Sequence, residues 1–484
     1  MREILNINKG WKFSKDVSSV PSKLPDDWQD VDLPYTWNGD DGQDGGNDYY
    51  RGKGYFAKIL TKDKMPQGEE IYIQLDGVNS TAEVYFNGKK LCEHNGGYSA
   101  FRVKLDDIKD ENLLVVTADN SPNDYVYPQV ADFTFYGGIY REVKLIGVSK
   151  NHFDLDFYGS TSFAVTPVIS GNDAKITLDA YCNGEVEFEI DDGNEVVAKA
   201  KASGKNPSAV LEIKDVHLWD GVDDPFLYNA SAKLIVDGQV ADEVKTRFGC
   251  RTFEIDAQKG FILNGRPYPL RGVSRHQDRP HIGNALLPEH HKEDMDLICE
   301  MGANTIRLAH YQHAQYFYDL CDERGIIVWA EIPYISKHLE KGVENTISQM
   351  KELIFQNYNH PSIVVWGLSN EISMGGATPA IVQNHKMLND LVHSIDKTRP
   401  TTEAVLTACN INEEYVHISD VLSYNHYFGW YGGDVSMYGD WFDNFHKKYP
   451  NKAIGMSEYG CEALNWHTSN PEQGDYTEEY QAYY

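Results

Sequence analysis

Two glutamates stand where a pair of carboxylates can work together. Glu371 comes shortly after the apolar run 362–368 (SIVVWGL), and Glu458 follows the run 453–457 (AIGMS). Each lies at the end of a predicted strand and before a loop. Carboxylates on either side of a bound sugar cleave a glycosidic bond. At a separation of roughly 5–5.5 Å, one attacks the anomeric carbon while the other gives and then takes back a proton. The acid has to keep its proton near neutral pH, so burial or a neighbouring negative charge must raise its pKa. The nucleophile has to stay ionised, and Arg307 or a tyrosine hydroxyl such as Tyr427 can supply the bond that keeps it so. One glutamate at a strand end is more often a structural ion-pair partner. Two at opposed strand ends, one of them preceded by Asn370, point to a catalytic pair.

Other strand ends are polar as well. The first leads into Arg275-His276-Gln277-Asp278, the second into Arg307 and His310, the third into Glu331, and the sixth into Asn425-His426-Tyr427. His276 and His310 are of a type that hydrogen-bonds sugar hydroxyls; the plainer reading is a satisfied core histidine. Neither has a histidine four residues on, and no cysteine accompanies them, so zinc is not expected. His290 and His291 fall just inside a helix start and are expected at the surface.

The elements that must position these residues begin after Phe253. Apolar runs at 268–273, 303–309, 326–332, 362–368, 401–405, 421–426 and 453–457 alternate with helical periods such as 288–300, 314–324, 344–358 and 380–395. Such alternation predicts a parallel sheet under covering helices. The spacing predicts a (β/α)8 TIM barrel, whose site lies at the C-terminal ends of its strands. Strands four and seven of such a barrel stand roughly opposite each other. No glycine-rich phosphate loop follows any strand. The pattern stops at seven strands, inside a helical stretch at 476–484. A barrel short of one strand has two open edges, so an eighth strand from elsewhere is expected, and the 484-residue chain alone is expected to be weakly active or inactive.

The first half reads as strands. The runs 71–75, 82–86, 112–118 and 139–146, with Asn87-Gly88 as a hairpin turn whose positions both need positive φ, predict a jelly-roll β-sandwich over 1–148. Runs at 176–182, 185–190 and 231–236, with turns at Asp192-Gly193 and Asp237-Gly238, predict an immunoglobulin-like β-sandwich over 149–252. The barrel then occupies 253–484.

Composition narrows the partners. The formal charge of -29 repels nucleic acid and anionic membrane. It also suits a neutral substrate better than a strongly anionic one. Aromatics reach 12%, with 31 Tyr and 9 Trp, which suits stacking on sugar rings as well as filling strands. No apolar run is long enough to span a membrane. The seven Cys are scattered without a CxxC pair, and the N-terminus lacks an apolar export segment, so a reduced, cytoplasmic setting is expected.

Four strings together resemble glycoside hydrolase family 2, the family of β-galactosidases, β-glucuronidases and β-mannosidases: 261–276 (FILNGRPYPLRGVSRH), 303–310 (ANTIRLAH), 363–371 (IVVWGLSNE) and 454–460 (IGMSEYG). The resemblance covers nearly the whole chain and implies the same order of jelly roll, immunoglobulin-like domain and barrel. By position it implies that Glu371 is the acid/base, Glu458 the nucleophile and Asn370 the holder of the sugar 2-hydroxyl. It implies further that His276 and His310 contact sugar, that Tyr427 stands beside the nucleophile, and that the enzyme is a homo-oligomer. The strings 96–101 (GGYSAF) and 272–279 (GVSRHQDR) look more like the β-galactosidase branch, and Asp132 occupies the place from which galactosidases send an acidic residue to the sugar. The expectation is therefore a retaining exo-β-galactosidase, with β-glucuronidase or another family β-glycosidase as the alternative; a further alternative is a truncated or non-catalytic carbohydrate-binding subunit. The family's glucuronate signature, an Asn and Lys pair near the eighth strand, would lie beyond residue 484. Some family galactosidases bind magnesium through residues after strand three. Ile335 and Lys337 stand at those places here, so no metal is expected at Glu371 and no cofactor is expected.

Overall fold

The computed structural model describes residues 1–15, 17–42 and 48–484. The N-terminal part is a sandwich of two antiparallel sheets. A six-stranded sheet runs in the order 29–31, 11–15, 53–61, 111–119, 81–86 and 89–95, and a four-stranded sheet in the order 3–6, 143–148, 70–75 and 101–105. Strict alternation drives it: in Thr81–Phe86 every second side chain is buried. Those inward residues join Trp11, Phe56, Ile73, Leu114, Val116 and Leu145 in one core. The Asn87-Gly88 turn takes φ values of 50° and 83°, as its hairpin requires.

The second unit is a smaller sandwich. Strands 163–170, 173–180 and 208–213 face strands 196–205, 183–191, 228–236 and 239–248. Phe163, Ile176, Leu178, Phe188, Leu234 and Phe248 fill it. The Asp237-Gly238 turn again has positive φ at both positions.

The C-terminal unit is a parallel, nearly closed barrel of seven strands. They are β1 (Gly272–Arg275), β2 (Thr305–Leu308), β3 (Ile327–Glu331), β4 (Ile363–Asn370), β5 (Thr401–Leu406), β6 (Val421–Asn425) and β7 (Ile454–Glu458), hydrogen-bonded in sequence order. Helices α1 (Pro288–Glu300), α2 (Gln315–Arg324), α3 (Val343–Asn357) and α4 (Pro379–Ile395) follow β1 to β4, a short 3-10 turn at 414–417 follows β5, and α5 (Met437–Lys448) and α6 (Glu478–Tyr483) follow β6 and β7. Each longer helix lays an apolar face on the barrel: Leu353 and Ile354 of α3 and Leu388 and Val392 of α4 pack with Ile363, Trp366 and Leu368. Among the described residues no helix is long and apolar enough to cross a membrane.

The first barrel strand departs from expectation. The segment 268–273 was predicted as strand, but β1 starts at Gly272 after a three-stranded antiparallel lead-in over 253–267. Pro267 and Pro269 lack ladder donors. Residues 269–271 bond to a side chain instead: Asn304 donates to the Pro269 carbonyl at 2.9 Å and accepts from the Arg271 amide at 2.8 Å.

The β units clasp the barrel through polar contacts. Glu352 of α3 bonds His94 at 2.8 Å and also Ser99. Gln356 brackets Ala100, accepting from its amide at 3.1 Å and donating to its carbonyl at 2.8 Å. Arg141 crosses from the first sandwich to the Gln312 carbonyl at 2.8 Å. From the second sandwich, Trp219 donates to the Asp322 carbonyl at 2.9 Å, and Asn359 accepts from the Val165 amide at 2.8 Å.

Candidate active site

The polar strand ends converge at the C-terminal mouth of the barrel. β2 ends in Arg307, buried to 5% exposure, whose guanidinium lies over the Trp329 ring at 5.0 Å. Its fork reaches three oxygen-bearing partners and also lies 3.2 Å from His310 Nδ1 through Nη2. Nε and Nη2 each donate to Glu331 at 2.9 Å, Nη1 donates to Glu458 Oε1 at 2.6 Å, and Nη2 also reaches Asn370 Oδ1 at 2.9 Å. Tyr427, just past β6, donates its hydroxyl to Glu458 Oε2 at 2.7 Å. Glu458 is thus gripped at both oxygens, one by a guanidinium and one by a hydroxyl.

Glu371 follows β4 and turns out of the strand with φ of 48°. This left-handed conformation is uncommon away from glycine and concentrates at functional sites. Asn425 on β6 donates to Glu371 Oε1 at 2.9 Å and to Asn370 Oδ1 at 3.1 Å. Ser457 of β7 holds the other end of that amide at 2.7 Å. Burial raises the Glu371 pKa, the Asn425 bond opposes the rise, and the charge of Glu458 adds to it. One carboxyl is therefore biased to keep its proton, while its neighbour is held by an arginine and a tyrosine.

His310 Nδ1 lies 2.7 Å from Glu331 Oε1, and its Nε2 lies 3.8 Å from Glu458 Oε1. His276 faces His310 with ring centroids 5.2 Å apart and touches the Tyr311 hydroxyl through Nδ1 at 3.3 Å. Burial, with His310 and Arg307 beside it, drives the His276 pKa down to about 3, so the ring is neutral. The structure therefore gathers Glu371, Glu458, Asn370, Arg307, His276, His310 and Tyr427 in one place.

Asp132 is different. It is exposed on a first-sandwich loop at the rim, where its charge and that of Glu462 act on the Tyr431 hydroxyl after burial has raised the pKa of that group. Its neighbour enters the site instead. Phe133 lies 5.0 Å from the His276 ring, 5.9 Å from His310 and 5.6 Å from Tyr311. An aromatic residue before a glycine-rich turn was the only signal available in sequence. Glu331 and Asn425 were visible as strand ends, but their partners were not.

His291 is a correction. It was expected at the surface but is buried, with Nδ1 3.1 Å from the Arg275 guanidinium. Burial and that cation lower its pKa. His290 instead accepts from the Leu287 amide at 3.0 Å and fastens the start of α1.

The two strings read as galactosidase-like also do other work. Within 96–101, Ser99 and Ala100 dock on α3, and the Tyr98 carbonyl accepts from Arg141 at 2.6 Å. Within 272–279, Arg275 pairs with Asp294 at 2.5 Å, and Gln277 accepts from the Ala314 amide at 2.8 Å. After β3, Ile335 is buried and pairs with Asn370 by a backbone bridge. A group of side chains able to hold an ion, Asp319, Asp322 and His360, includes neither glutamate. Its His360 and Asp322 are already paired at 2.6 Å.

Comparison with known proteins gives the same architecture. Residues 42–149 match the sugar binding domain of glycosyl hydrolases family 2, 160–251 match a second domain of that family, and 253–484 match its TIM barrel domain. A β-glucuronidase of Bacteroides fragilis is 40% identical over 96% of this chain and 69% of its own length. A β-galactosidase of Thermoanaerobacter pseudethanolicus is 28% identical over 93% of this chain and 60% of its own. The crystal structure of an FMN-binding β-glucuronidase from Faecalibacterium prausnitzii L2-6 superposes with a TM-score of 0.95 at 42% identity, covering 100% of this chain and 76% of that one.

Proposed function

The chain belongs to glycosyl hydrolase family 2, and from that membership we propose that it hydrolyses terminal β-D-glucuronides with retention of configuration. The observation that carries the chemistry is the asymmetric carboxylate pair: Glu458 gripped by Arg307 and Tyr427, Glu371 half-buried and biased toward its protonated form. Glu458 attacks the anomeric carbon. Glu371 gives its proton to the departing glycosidic oxygen, and the sugar becomes an ester of Glu458. A water then loses a proton to Glu371 and attacks the same carbon, and Glu458 leaves as a carboxylate. The Asn370 oxygen is fixed by Arg307 and Asn425, and its amide is presented to the sugar 2-hydroxyl. His276 and His310 line the sugar's other edge. Residues 1–148 and 149–252 serve as the two β domains that clasp the barrel over 253–484.

The choice of sugar rests on likeness. Identity to the B. fragilis β-glucuronidase is 40% against 28% to the T. pseudethanolicus β-galactosidase, and the strings that favoured galactose are occupied in docking and in ion pairs. The exposed Asp132 and the acidic whole are what support the galactoside reading. Specificity constants for 4-nitrophenyl β-D-glucuronide and 4-nitrophenyl β-D-galactoside decide between them. A ratio favouring the glucuronide by at least about 100-fold, on the order of 3 kcal/mol of differential transition-state binding, is expected. A ratio favouring the galactoside overturns the assignment.

A further inference from the structure

β3 ends in a carboxylate that takes no part in the two displacement steps. Glu331 is fully buried, and both of its oxygens are engaged: a bidentate grip on Arg307 at 2.9 Å through each bond, and His310 Nδ1 at 2.7 Å. The same arginine reaches Glu458 through its remaining nitrogen at 2.6 Å. One cation thus serves two carboxylates, with the fork fitted to the buried one and a single bond left for the other.

We propose that Glu331 is a positioning residue for the reaction: it aims Arg307 at Glu458, cancels most of that arginine's charge, and fixes which nitrogen of His310 carries a proton. This rests on the reading of Glu458 and Glu371 as nucleophile and acid/base. An arginine without a counter-ion, 2.6 Å from a carboxylate in a water-poor site, would stabilise the anion strongly and blunt its attack. It would also pull the proton from Glu371. With Glu331 ionised, the charges of Arg307, Glu331 and Glu458 sum to one negative. That residual charge favours a protonated Glu371. Glu331 is held ionised despite its burial: desolvation pushes its pKa up, but Arg307 and then His310 outweigh it and leave it lowered. An ionised carboxylate has no proton to give, so the 2.7 Å contact places the hydrogen on His310 Nδ1, and the longer 3.2 Å approach of Arg307 Nη2 to the same nitrogen is then not a hydrogen bond. In the neutral ring this leaves Nε2, on the side facing Glu458, as the nitrogen that accepts from a sugar hydroxyl. The groups facing Glu371 are Glu458 from β7, Arg307 and His310 from β2, and Asn425 and Tyr427 from β6 and its loop.

The test is the pH profile of kcat/KM for Glu331→Gln and Glu331→Asp beside the wild type. Glu331→Gln keeps the shape and removes the charge. It is expected to lower kcat about 100-fold, the scale of a misaimed reacting group, and to move the alkaline limb down by roughly one pH unit. Glu331→Asp keeps the charge, so its limb should stay at the wild-type position even where the rate falls. An unmoved limb in Glu331→Gln, or an equal shift in Glu331→Asp, overturns the proposal and assigns Glu331 a purely structural part. If Glu331→Gln does not fold, the ¹⁵N shifts of His310 in the wild type carry the test. A protonated Nδ1 with bare Nε2 supports the proposal, and the opposite tautomer refutes it. Loss of the catalytic-pair reading looks different: Glu458→Gln or Glu371→Gln would then retain wild-type rates whatever Glu331 does.

Discussion

The two glutamates differ in what holds them, and that difference predicts separable defects. Glu458→Gln removes the proposed nucleophile and should lower kcat roughly 10⁴-fold or more on any aryl substrate. Glu371→Gln should behave differently with leaving-group quality. A 2,4-dinitrophenyl glycoside needs no protonation to depart, so the first step should survive, the ester on Glu458 should accumulate, and stopped-flow traces should show a burst. Equal losses on good and poor leaving groups would remove Glu371 from the acid role. The pH dependence follows from the same residue. Burial raises the Glu371 pKa, so the protonated, competent form persists above the usual glutamate range and activity is lost as pH rises through the raised value. The alkaline limb of kcat/KM should be absent in Glu371→Gln.

At the scale of elements, Glu403 on β5 has no part in this chemistry and yet carries a pH dependence. It is fully buried, its Oε2 has no hydrogen-bond partner, and His385 Nε2 of α4 lies 3.3 Å away. Burial lifts its pKa to about 8, against weaker opposing pulls from Ser419 and Lys452. A carboxyl raised on folding contributes stability that is fully present below its unfolded pKa of about 4.3 and lost as pH rises through the folded value. Thermal unfolding at pH 9 should therefore give Glu403→Gln a higher midpoint than the wild type, with the advantage gone at pH 4. A parallel pH slope in the two proteins would contradict this. The loop bearing Phe133 makes a second element-scale prediction. Phe133→Ala should cost about tenfold in kcat/KM by freeing two site histidines, with little change in the unfolding midpoint. A fall in midpoint without a kinetic defect would make the ring mere packing.

What sequence could tell divides along the same lines. Six of the seven barrel strands lie where apolar runs placed them; in strands such as β4, buried at every residue, burial on both faces writes itself as a continuous run. β1 was misplaced because the bonds that decide it belong to Asn304, some thirty residues away. His291 was misjudged because the cation that buries it comes from β1. Phe133 was missed because a residue of one domain lining another domain's site leaves no periodic trace. The proposed catalytic pair was legible as a pair of strand-end carboxylates because both members sit at or just past the ends of β4 and β7. The choice of sugar was less legible, because the strings that looked like specificity also hold Arg275 to Asp294 and Ala100 to Gln356.

For the whole molecule, the polar clasp between sandwich and barrel should make the units unfold together. Arg141 is buried and satisfies the carbonyls of Tyr98 and Gln312, one in each unit. Arg141→Ala strands both acceptors, at roughly 1–3 kcal/mol each. Calorimetry should then resolve a single wild-type transition into two, and a variant that still melts in one step would show the clasp to lie elsewhere.

Phe133 carries a consequence for descent. A barrel that borrows a wall of its pocket from an upstream neighbour is not a free-standing cassette. A recombination event that exchanged the N-terminal sandwich for a foreign one would deliver both glutamates intact and a pocket with one side missing. Lineages of this gene should therefore travel as linked blocks, with crossovers tolerated inside surface turns such as Asn87-Gly88 and selected against near 131–136. A panel of chimeras with junctions on either side of that stretch would read this out directly as hydrolysis kept or lost.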